Sequence, residues 1–226
     1  APVCFALCEH WMSRQTYKGD VQWMVVYDGS GGIRNTMGQE VITRARKAGE
    51  PAHTLPCNLL AAIPKIDSEI IVMIEDDDYY PPHYVERMVA AIESDPLLEA
   101  FGESHHRKYD VLAKRGWQNK NAKHASLCCT AMRKAALPKL AAACAQMTPF
   151  VDLAFWPMVY GKMIRNDDPR APGCIGIKAM PGYRPLTTMN GRLFHGKKMG
   201  GQPDPDLRVA REWMGEDFNK YLEVYP

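Results

Sequence analysis

Four consecutive acidic residues, at positions 75–78, follow an apolar run at positions 70–74. A run without polar alternation is typical of a parallel strand covered on both faces, and in open α/β sheets ligands bind outside the carboxyl ends of such strands. Neighbouring carboxylates repel one another unless a cation lies among them. Because Mg²⁺ and Mn²⁺ prefer oxygen ligands, the run predicts a divalent metal site that also holds a diphosphate. The alternative is a solvated acidic turn.

Another carboxylate, Asp28, ends the apolar stretch at 21–27 and is followed by Gly29 and Ser30. An Asp in the turn after a parallel strand can accept hydrogen bonds from a base or a ribose, and glycine lets a ligand approach the backbone closely. Alone, this tripeptide is an ordinary turn. Together with the acidic run it predicts two motifs at the same edge of one sheet.

Asp152 is a lone carboxylate in an apolar segment at 150–156. An Asp in this setting is either a helix N-cap or a general base with a raised pKa. The residues themselves leave both interpretations open.

A glycine-rich stretch at 182–201 carries one imidazole and three cations, which are Arg192, His195, Lys197 and Lys198. Such a segment suits a flap over a diphosphate, with His195 as a metal ligand. The alternative is a solvated basic loop.

Composition excludes several classes of protein. The 226 residues carry a formal net charge of +2, which excludes an acidic disordered tail and a polybasic nucleic-acid arm. No apolar run approaches the roughly 18 residues that a membrane span requires. Seven cysteines, an odd number, favour a reducing compartment in which the thiols pack as small apolar groups. Cys4 and Cys8 lack a second ligand pair, and the histidines other than His195 are expected to lie at the surface or in ordinary packing.

Strands alternate with helices in the first half of the chain, which predicts an α/β fold with a mostly parallel sheet. We expect a polar basic loop at 113–123 and a loop plus a short helix at 33–54. Helices are predicted at 3–16, 58–63, 81–92 and 150–160. A further helix is predicted after the strand at 124–130 and ends near residue 146. A last helix opens at Asp204-Pro205 and breaks at Gly215. Strands are predicted at 21–27, 69–74, 124–130, 163–165 and 175–180, with two short ones within 98–112.

Three stretches resemble GT-A glycosyltransferases of the family 2 type. Residues 14–30 (RQTYKGDVQWMVVYDGS) are similar to that family's strand and turn V-V-D-D-G-S. Residues 69–85 (EIIVMIEDDDYYPPHYV) are similar to its strand ending in D-x-D-D. Residues 150–161 lie where the family has its catalytic base, and the preceding HASLCCTAMRKAAL is similar to the strand and helix before it. The resemblance covers residues 3 to about 165, and the C-terminal part looks most like small phage-encoded transferases.

The resemblance implies a single GT-A (Rossmann-like) domain over 1–226, with a mostly parallel central sheet flanked by helices. Residues 1–95 would bind a nucleotide sugar, and residues 96–226 would bind the acceptor and supply the C-terminal flap and helices. The family's opening strand is not found in this chain. A cytoplasmic location is expected, in the host if the chain is viral.

The resemblance also implies an inverting sugar transfer that uses Mn²⁺ or Mg²⁺. Asp152 would be the catalytic base. The nucleotide sugar, with UDP-sugars favoured, would be bound by Asp28, Asp76, Asp77, Arg192, Lys197 and Lys198. The metal would be held by Asp77, Asp78 and His195.

The expected acceptor is the 5-hydroxymethylpyrimidine of phage DNA, whose hydroxyl lies in the major groove. Cations between positions 105 and 123 would contact the phosphates, and the acceptor would be bound by Trp117, Arg115 and Lys120. A glycan or a lipid-linked sugar is the alternative acceptor. A non-catalytic nucleotide-sugar-binding module is the alternative from another class, whereas nucleotidyl transfer and glycoside hydrolysis fit the residues less well.

Overall fold

A computed structural model describes residues 2–29, 33, 36–167, 173–180 and 201–224. The helices are α1 (Pro2–Ser13), α2 (Leu55–Ala62), α3 (Tyr84–Glu93), α4 (Leu137–Ala145), α5 (Val151–Phe155), α6 (Arg208–Met214) and α7 (Asn219–Glu223). The strands are β1 (Met24–Tyr27), β2 (Glu40–Thr43), β3 (Ile70–Val72), β4 (Ala100–Glu103), β5 (His105–Asp110), β6 (Arg115–Lys120), β7 (Thr130–Arg133), β8 (Gly161–Ile164), β9 (Ile175–Lys178) and β10 (Gln202–Pro203).

One four-stranded sheet has the order β3-β7-β4-β8 and lies between two layers of helices. Ile70 and Val72 pack into one apolar cluster, together with Met88 and other residues of α3. Ile71 and Met73 point the other way and pack with residues of α2, α4 and α5. Because side chains alternate along a strand, an uninterrupted apolar run supplies both layers.

A second four-stranded sheet has the order β10-β6-β5-β9. The C-terminal helices cover one of its faces. The ring of Tyr109 packs edge-on against Phe218, with 5.2 Å between the ring centroids, and Arg107 stacks over the indole of Trp213. Gly116 keeps this contact close, because a Cβ there would lie 3.1 Å from the Trp213 ring.

The third sheet is the parallel pair β1-β2. Among the described residues, no backbone ladder joins β1 to β3. The free sides of both strands face a common cleft, which is described below.

The α/β class and the single domain are confirmed, but the expectation of one mostly parallel sheet is wrong for the described residues. The β7 strand is antiparallel to both β3 and β4, and only β1-β2, β4-β8 and β5-β9 pair in parallel. The apolar run at 70–74 indicated burial on both faces, and burial does not determine the direction of the neighbouring strand. The β3 residues are moreover only half-buried, because β3 is the outer strand of its sheet.

Several predicted elements differ from the observed ones. The predicted loop at 113–123 contains β6, which pairs with β5 over six residues, and the predicted loop and helix at 33–54 contain β2. The β6 strand is polar, and its pairing rather than its composition holds it. The β2 strand carries only two apolar residues, Val41 and Ile42, within a polar segment. The predicted strand at 124–130 begins later, as β7, after a 3₁₀ turn at Leu127–Cys129.

The C-terminal helix breaks at Gly215 as predicted, with a left-handed φ of 58°. It begins later than expected, at Arg208, but Asp204 still stabilises its first turn. The Asp204 carboxylate accepts hydrogen bonds from the backbone N–H groups of Val209 (2.9 Å) and Ala210 (3.0 Å). All seven cysteines are free thiols. Within the described ranges, every helix is too short or too polar to cross a bilayer.

Candidate active site

A cleft of about 1760 Å³ opens between β1 and β3, beside the second sheet. Three separate parts of the chain contribute the carboxylates of the predicted motifs to its lining. The turn after β1 contributes Asp28, and the first turn of α5 contributes Asp152. The acidic run after β3 contributes Glu75, Asp76, Asp77 and Asp78. The segment between β2 and α2 adds a cation, Arg46. The structure therefore brings together five predicted residues, which are Asp28, Asp76, Asp77, Asp78 and Asp152.

Lys178, the last residue of β9, is the cation nearest to Asp77 and Asp78 among the described residues. Its Nζ atom lies 3.8 Å from Oδ2 of Asp77 and 3.7 Å from Oδ1 of Asp78. Burial opposes the charge of Lys178, but the carboxylates of Asp78 and Asp77 outweigh it and raise the pKa of this ammonium group. Part of the repulsion that the sequence predicted within the acidic run is thus offset by the protein itself.

Asp77 and Asp78 are placed differently. Asp78 is 2% exposed, and its Oδ1 accepts the backbone N–H of Ile177 at 3.0 Å. Burial raises its pKa to about 6, against the lowering effect of Lys178. Asp77 is half-buried and lines the cleft together with Asp76. Asp78 is therefore fixed to β9, while Asp76 and Asp77 are placed for a ligand in the cleft.

Glu75 begins the acidic run, and its backbone N–H donates to the Tyr80 hydroxyl at 2.7 Å. Burial and the nearby charges of Asp78 and Asp77 raise the pKa of Glu75 to about 8. At neutral pH this carboxyl group is largely protonated. The run consequently presents fewer negative charges than its four acidic residues suggest.

Asp28 lies in an ion-pair cluster. In the parallel pair β1-β2, Tyr27 is opposite Thr43, so the next residues, Asp28 and Arg44, are neighbours. Oδ2 of Asp28 lies 3.4 Å from Arg44 and 3.3 Å from Arg46. Arg46 is half-exposed and lines the cleft, so this end of the cleft combines an anionic and a cationic group.

Asp152 lies in the first turn of α5, and the N-cap position belongs to Phe150. Asp152 is therefore not the N-cap of this helix. Its Oδ1 nevertheless accepts a hydrogen bond from the backbone N–H of Leu153 at 3.0 Å. Its Oδ2 lies 3.8 Å from Nε2 of His124, and both residues line the cleft. Burial raises the pKa of Asp152, and His124 opposes the shift. A partly desolvated carboxyl group beside an imidazole is suited to proton transfer.

The β5–β6 hairpin contributes one face to the cleft. His106, Lys108 and Asn119 line it. Trp117 is opposite Lys108, and Arg115 is opposite Asp110, so strand alternation places both on this same face. Lys120 lies on the other face of β6, so the structure does not group it with Trp117 and Arg115.

The cations predicted to contact DNA do not form one exposed patch. Arg107 is 4% exposed and stacks on Trp213, and His106 is 3% exposed. His105 pairs with Asp167 through an Nδ1–Oδ1 contact of 2.6 Å. Alternation along β5 places Arg107 against the α6–α7 layer, whereas His106 lies on the opposite face and is buried against Ser126 and Cys128.

Four predicted site residues, Arg192, His195, Lys197 and Lys198, lie outside the described residues. The structure adds residues that the sequence did not indicate, namely Arg46, His124 and Lys178. Each is a single ionisable residue at a strand end or in a loop, with no spacing that singles it out. A cation somewhere in the fold was nevertheless predictable from the acidic run, because four uncompensated carboxylates would be destabilising.

The carboxylates at the cleft are oxygen ligands of the kind that Mg²⁺ and Mn²⁺ prefer, and Asp76 and Asp77 could hold such an ion. Compared with known proteins, the chain matches no family model and no curated sequence.

Proposed function

We propose that this chain is a metal-dependent, inverting glycosyltransferase of the GT-A type, which moves a sugar from a nucleotide sugar, with UDP-sugars favoured, to an acceptor hydroxyl. One observation carries the proposal. Asp28, the adjacent pair Asp76 and Asp77, and Asp152 come from three separate segments of the chain, and all line one cleft. In a sugar transferase of this type, the groups that bind the nucleotide, the metal ligands and the base must all lie close enough to contact one bound donor and its acceptor.

On the donor side, Mn²⁺ or Mg²⁺ would be held by Asp77 and its neighbour Asp76, with His195 as a further ligand. The predicted ligand Asp78 is instead engaged by the backbone of Ile177 and by Lys178. The bound ion would supply positive charge to the departing nucleoside diphosphate. Lys178 fixes the carboxylates of Asp77 and Asp78 before any ligand arrives, since it lies within 3.8 Å of both. Such preorganisation lowers the cost of ordering the site when the donor binds.

At the other end of the donor site, Asp28 would accept hydrogen bonds from the base or the ribose. Arg44 and Arg46 hold its carboxylate in place. The half-exposed guanidinium of Arg46 would compensate phosphate charge together with Arg192, Lys197 and Lys198.

On the acceptor side, Asp152 would remove the proton of the attacking hydroxyl. The acceptor oxygen forms a bond to the anomeric carbon, the bond from that carbon to the diphosphate oxygen breaks, and the proton moves to Asp152. A single displacement inverts the anomeric configuration. The raised pKa of Asp152 brings its basicity closer to that of the reacting group, which favours proton transfer.

The GT-A arrangement belongs to this proposal. In that fold the strands followed by Asp28 and by the acidic run lie in one sheet. Here the strands β1 and β3 line the same cleft. The ligand site would lie in the part of the cleft at the carboxyl ends of β1 and β3.

For the acceptor we propose the hydroxymethylpyrimidine of DNA. The hairpin face with Lys108, Trp117 and Arg115 continues from the cleft and combines cations with an indole. Cations can pair with phosphates, and an indole can stack on an extruded base.

The test is sugar transfer from labelled UDP-glucose and other nucleotide sugars, with Mn²⁺ or with excess EDTA. The acceptors are DNA containing 5-hydroxymethylcytosine or 5-hydroxymethyluracil, unmodified DNA and a saccharide. We expect release of nucleoside diphosphate and label on the modified DNA only when Mn²⁺ is present. Asp77→Asn should abolish turnover, whereas Asp67→Asn should not, because Asp67 is almost fully exposed and lies before β3, at its other end.

Each outcome separates the candidate functions. Full activity in EDTA and in Asp77→Asn would eliminate the metal-dependent mechanism. Release of pyrophosphate would indicate nucleotidyl transfer. Tight donor binding without turnover would indicate a binding module, and label on the saccharide alone would replace DNA by a glycan acceptor.

A further inference from the structure

Behind the acidic run lies a buried cluster of three thiols and one imidazole, formed by His106, Cys128, Cys129 and Cys174. They come from β5, from the 3₁₀ turn before β7 and from the residue before β9. All four residues are at most 3% exposed, and their ligand atoms lie within 4.8 Å of one another. We propose that these four side chains bind one zinc ion.

The interatomic distances are close to those of a tetrahedral site. With Zn–S bonds of about 2.3 Å and Zn–N bonds of about 2.0–2.1 Å, tetrahedral geometry separates two sulfurs by about 3.8 Å and a sulfur from a nitrogen by about 3.6 Å. In the structure the sulfurs of Cys128 and Cys129 are 4.0 Å apart. Nε2 of His106 lies 3.9 Å from Cys128 Sγ and 4.0 Å from Cys174 Sγ. Small side-chain rotations would bring the four atoms onto one ion.

The imidazole of His106 is already oriented for metal binding. Its Nδ1 is paired with the Ser126 hydroxyl at 3.1 Å, which directs Nε2 toward the sulfurs. Metal-bound histidines are commonly fixed by such a contact at the second ring nitrogen. Gly176 leaves room for the ring, because a Cβ there would lie 3.1 Å from Nε2 and from Cε1. Burial lowers the pKa of His106 well below its usual value, so the imidazole is neutral, as a metal ligand must be.

The charges around the cluster can accommodate a bound cation. Binding of Zn²⁺ would release three thiol protons and leave a net charge of −1 on the four-ligand site. Lys108 lies near enough to His106 to influence its pKa electrostatically, and its ammonium group would compensate that charge.

A competing ligand group, Glu75, Asp78 and Cys128, meets the same distance limit but offers three ligands and shares Cys128 with the first. Its oxygens suit a harder ion, and Asp78 is already engaged by Ile177 and Lys178. The three-thiol set with one imidazole is the ligand combination of closed structural zinc sites. We therefore assign zinc to the four-ligand cluster.

A zinc ion here would link the two four-stranded sheets. His106 belongs to β5 and Cys174 immediately precedes β9 of the same sheet, and Cys128 and Cys129 lead into β7 of the other sheet. Cys174 Sγ also lies 3.7 Å from Asp78 Oδ2, so the link would adjoin the acidic run. The ion would be structural, since all four coordination positions are taken by the protein.

The first test is the metal content of untagged protein, purified from cells grown with added zinc and measured by elemental mass spectrometry. We expect one zinc per chain, released when a mercurial reagent blocks the thiols. The Co²⁺-substituted protein should show the intense visible and near-ultraviolet bands of tetrahedral cobalt with thiolate ligands. A zinc content below about one tenth per chain, with no cobalt–thiolate bands, would overturn the proposal.

Variants locate the site. Cys174→Ser should lower zinc affinity by roughly tenfold or more and weaken the cobalt bands. Cys144→Ser is the matched control, because Cys144 is equally buried but packs in the other apolar cluster. Equal zinc binding by both variants would place the metal elsewhere and overturn the assignment.

A measurement on the unmodified chain covers the case in which Cys174→Ser does not fold. After brief alkylation, peptide mass spectrometry should show zinc-dependent protection of Cys128, Cys129 and Cys174 and zinc-independent protection of Cys144. Identical labelling of all four with and without zinc would refute the site. None of these measurements uses transferase activity, so their failure and that of the proposed function are distinguishable.

Discussion

Replacement of Lys178 by methionine should strongly destabilise the fold at neutral pH. The substitution keeps most of the apolar stem and removes the charge. The side chain of Lys178 is 12% exposed, and its partners Asp77 and Asp78 are 13% and 1% exposed. All three charges are thus shielded from water.

The size of the effect follows from the distances. At 3.7 and 3.8 Å, and with an effective dielectric constant of about 20, each attraction is worth about 4 kcal/mol before desolvation is subtracted. Removing one partner of a buried pair usually costs about 3–5 kcal/mol, because the other charge remains buried without compensation. We expect Lys178→Met to lose about that much of the free energy of unfolding.

The loss should depend on pH. The pKa of Asp78 is raised to about 6 by burial, so this group favours the folded state in its protonated form, and the benefit is lost as pH rises through that value. Without Lys178 the pKa rises further, since the ammonium group lowers it. The free energy of unfolding that Lys178→Met loses should therefore be small near pH 4.5 and large near pH 7.5.

The assay is urea unfolding followed by circular dichroism, at both pH values and without added divalent cations. Lys162→Met is the matched control, because Lys162 is exposed on β8 and should stay within about 0.5 kcal/mol of the unmodified chain. Added Mn²⁺ should restore part of the loss in Lys178→Met by supplying the missing charge. Equal stability of both variants at pH 7.5, or a deficit independent of pH, would refute the electrostatic reasoning.

Three further predictions concern the proposed transfer. Asp152→Asn should lower kcat by roughly 10²–10⁴ with donor binding nearly unchanged, and a variant that melts early but retains its specific activity would show a structural role instead. His124→Gln should move the acidic limb of the kcat–pH profile to higher pH, because His124 lowers the pKa of Asp152; an unshifted limb would contradict this pairing. Trp117→Ala should raise KM for DNA but leave donor hydrolysis unchanged, and an unaltered KM would remove the indole from the acceptor site.

The sequence predicted those features that are made by residues adjacent in the chain, and it missed those that depend on contacts between distant segments. The acidic run, the turn at Asp28 and the break at Gly215 were identified correctly because adjacent residues create them. The partners Lys178 and His124 were missed because pairing between distant segments brings them to the site. The polar strand β6 was missed for the same reason, since its stability comes from β5 and from the helices behind it.

The cysteines show a second reason why the sequence did not predict the whole arrangement. Adjacent cysteines at 128 and 129, with single ones elsewhere, have no spacing of a known metal motif, and packing was the reasonable interpretation. Parallel pairing of β5 with β9 brings Cys174 toward His106, and the 3₁₀ turn directs both adjacent sulfurs to the same point. A ligand set assembled by topology in this way is not visible in sequence spacing.

Lys178 ties the candidate active site to the association of the two sheets. The acidic run follows β3 of one sheet, while Lys178 ends β9 of the other, and the backbone of Ile177 also donates to Asp78. If the sheets separated, Asp77 and Asp78 would lose their cation and Asp78 its backbone donor at the same time. The charge arrangement of the cleft thus exists only in the fully folded chain, so loss of sheet docking should abolish donor binding before the individual helices unfold.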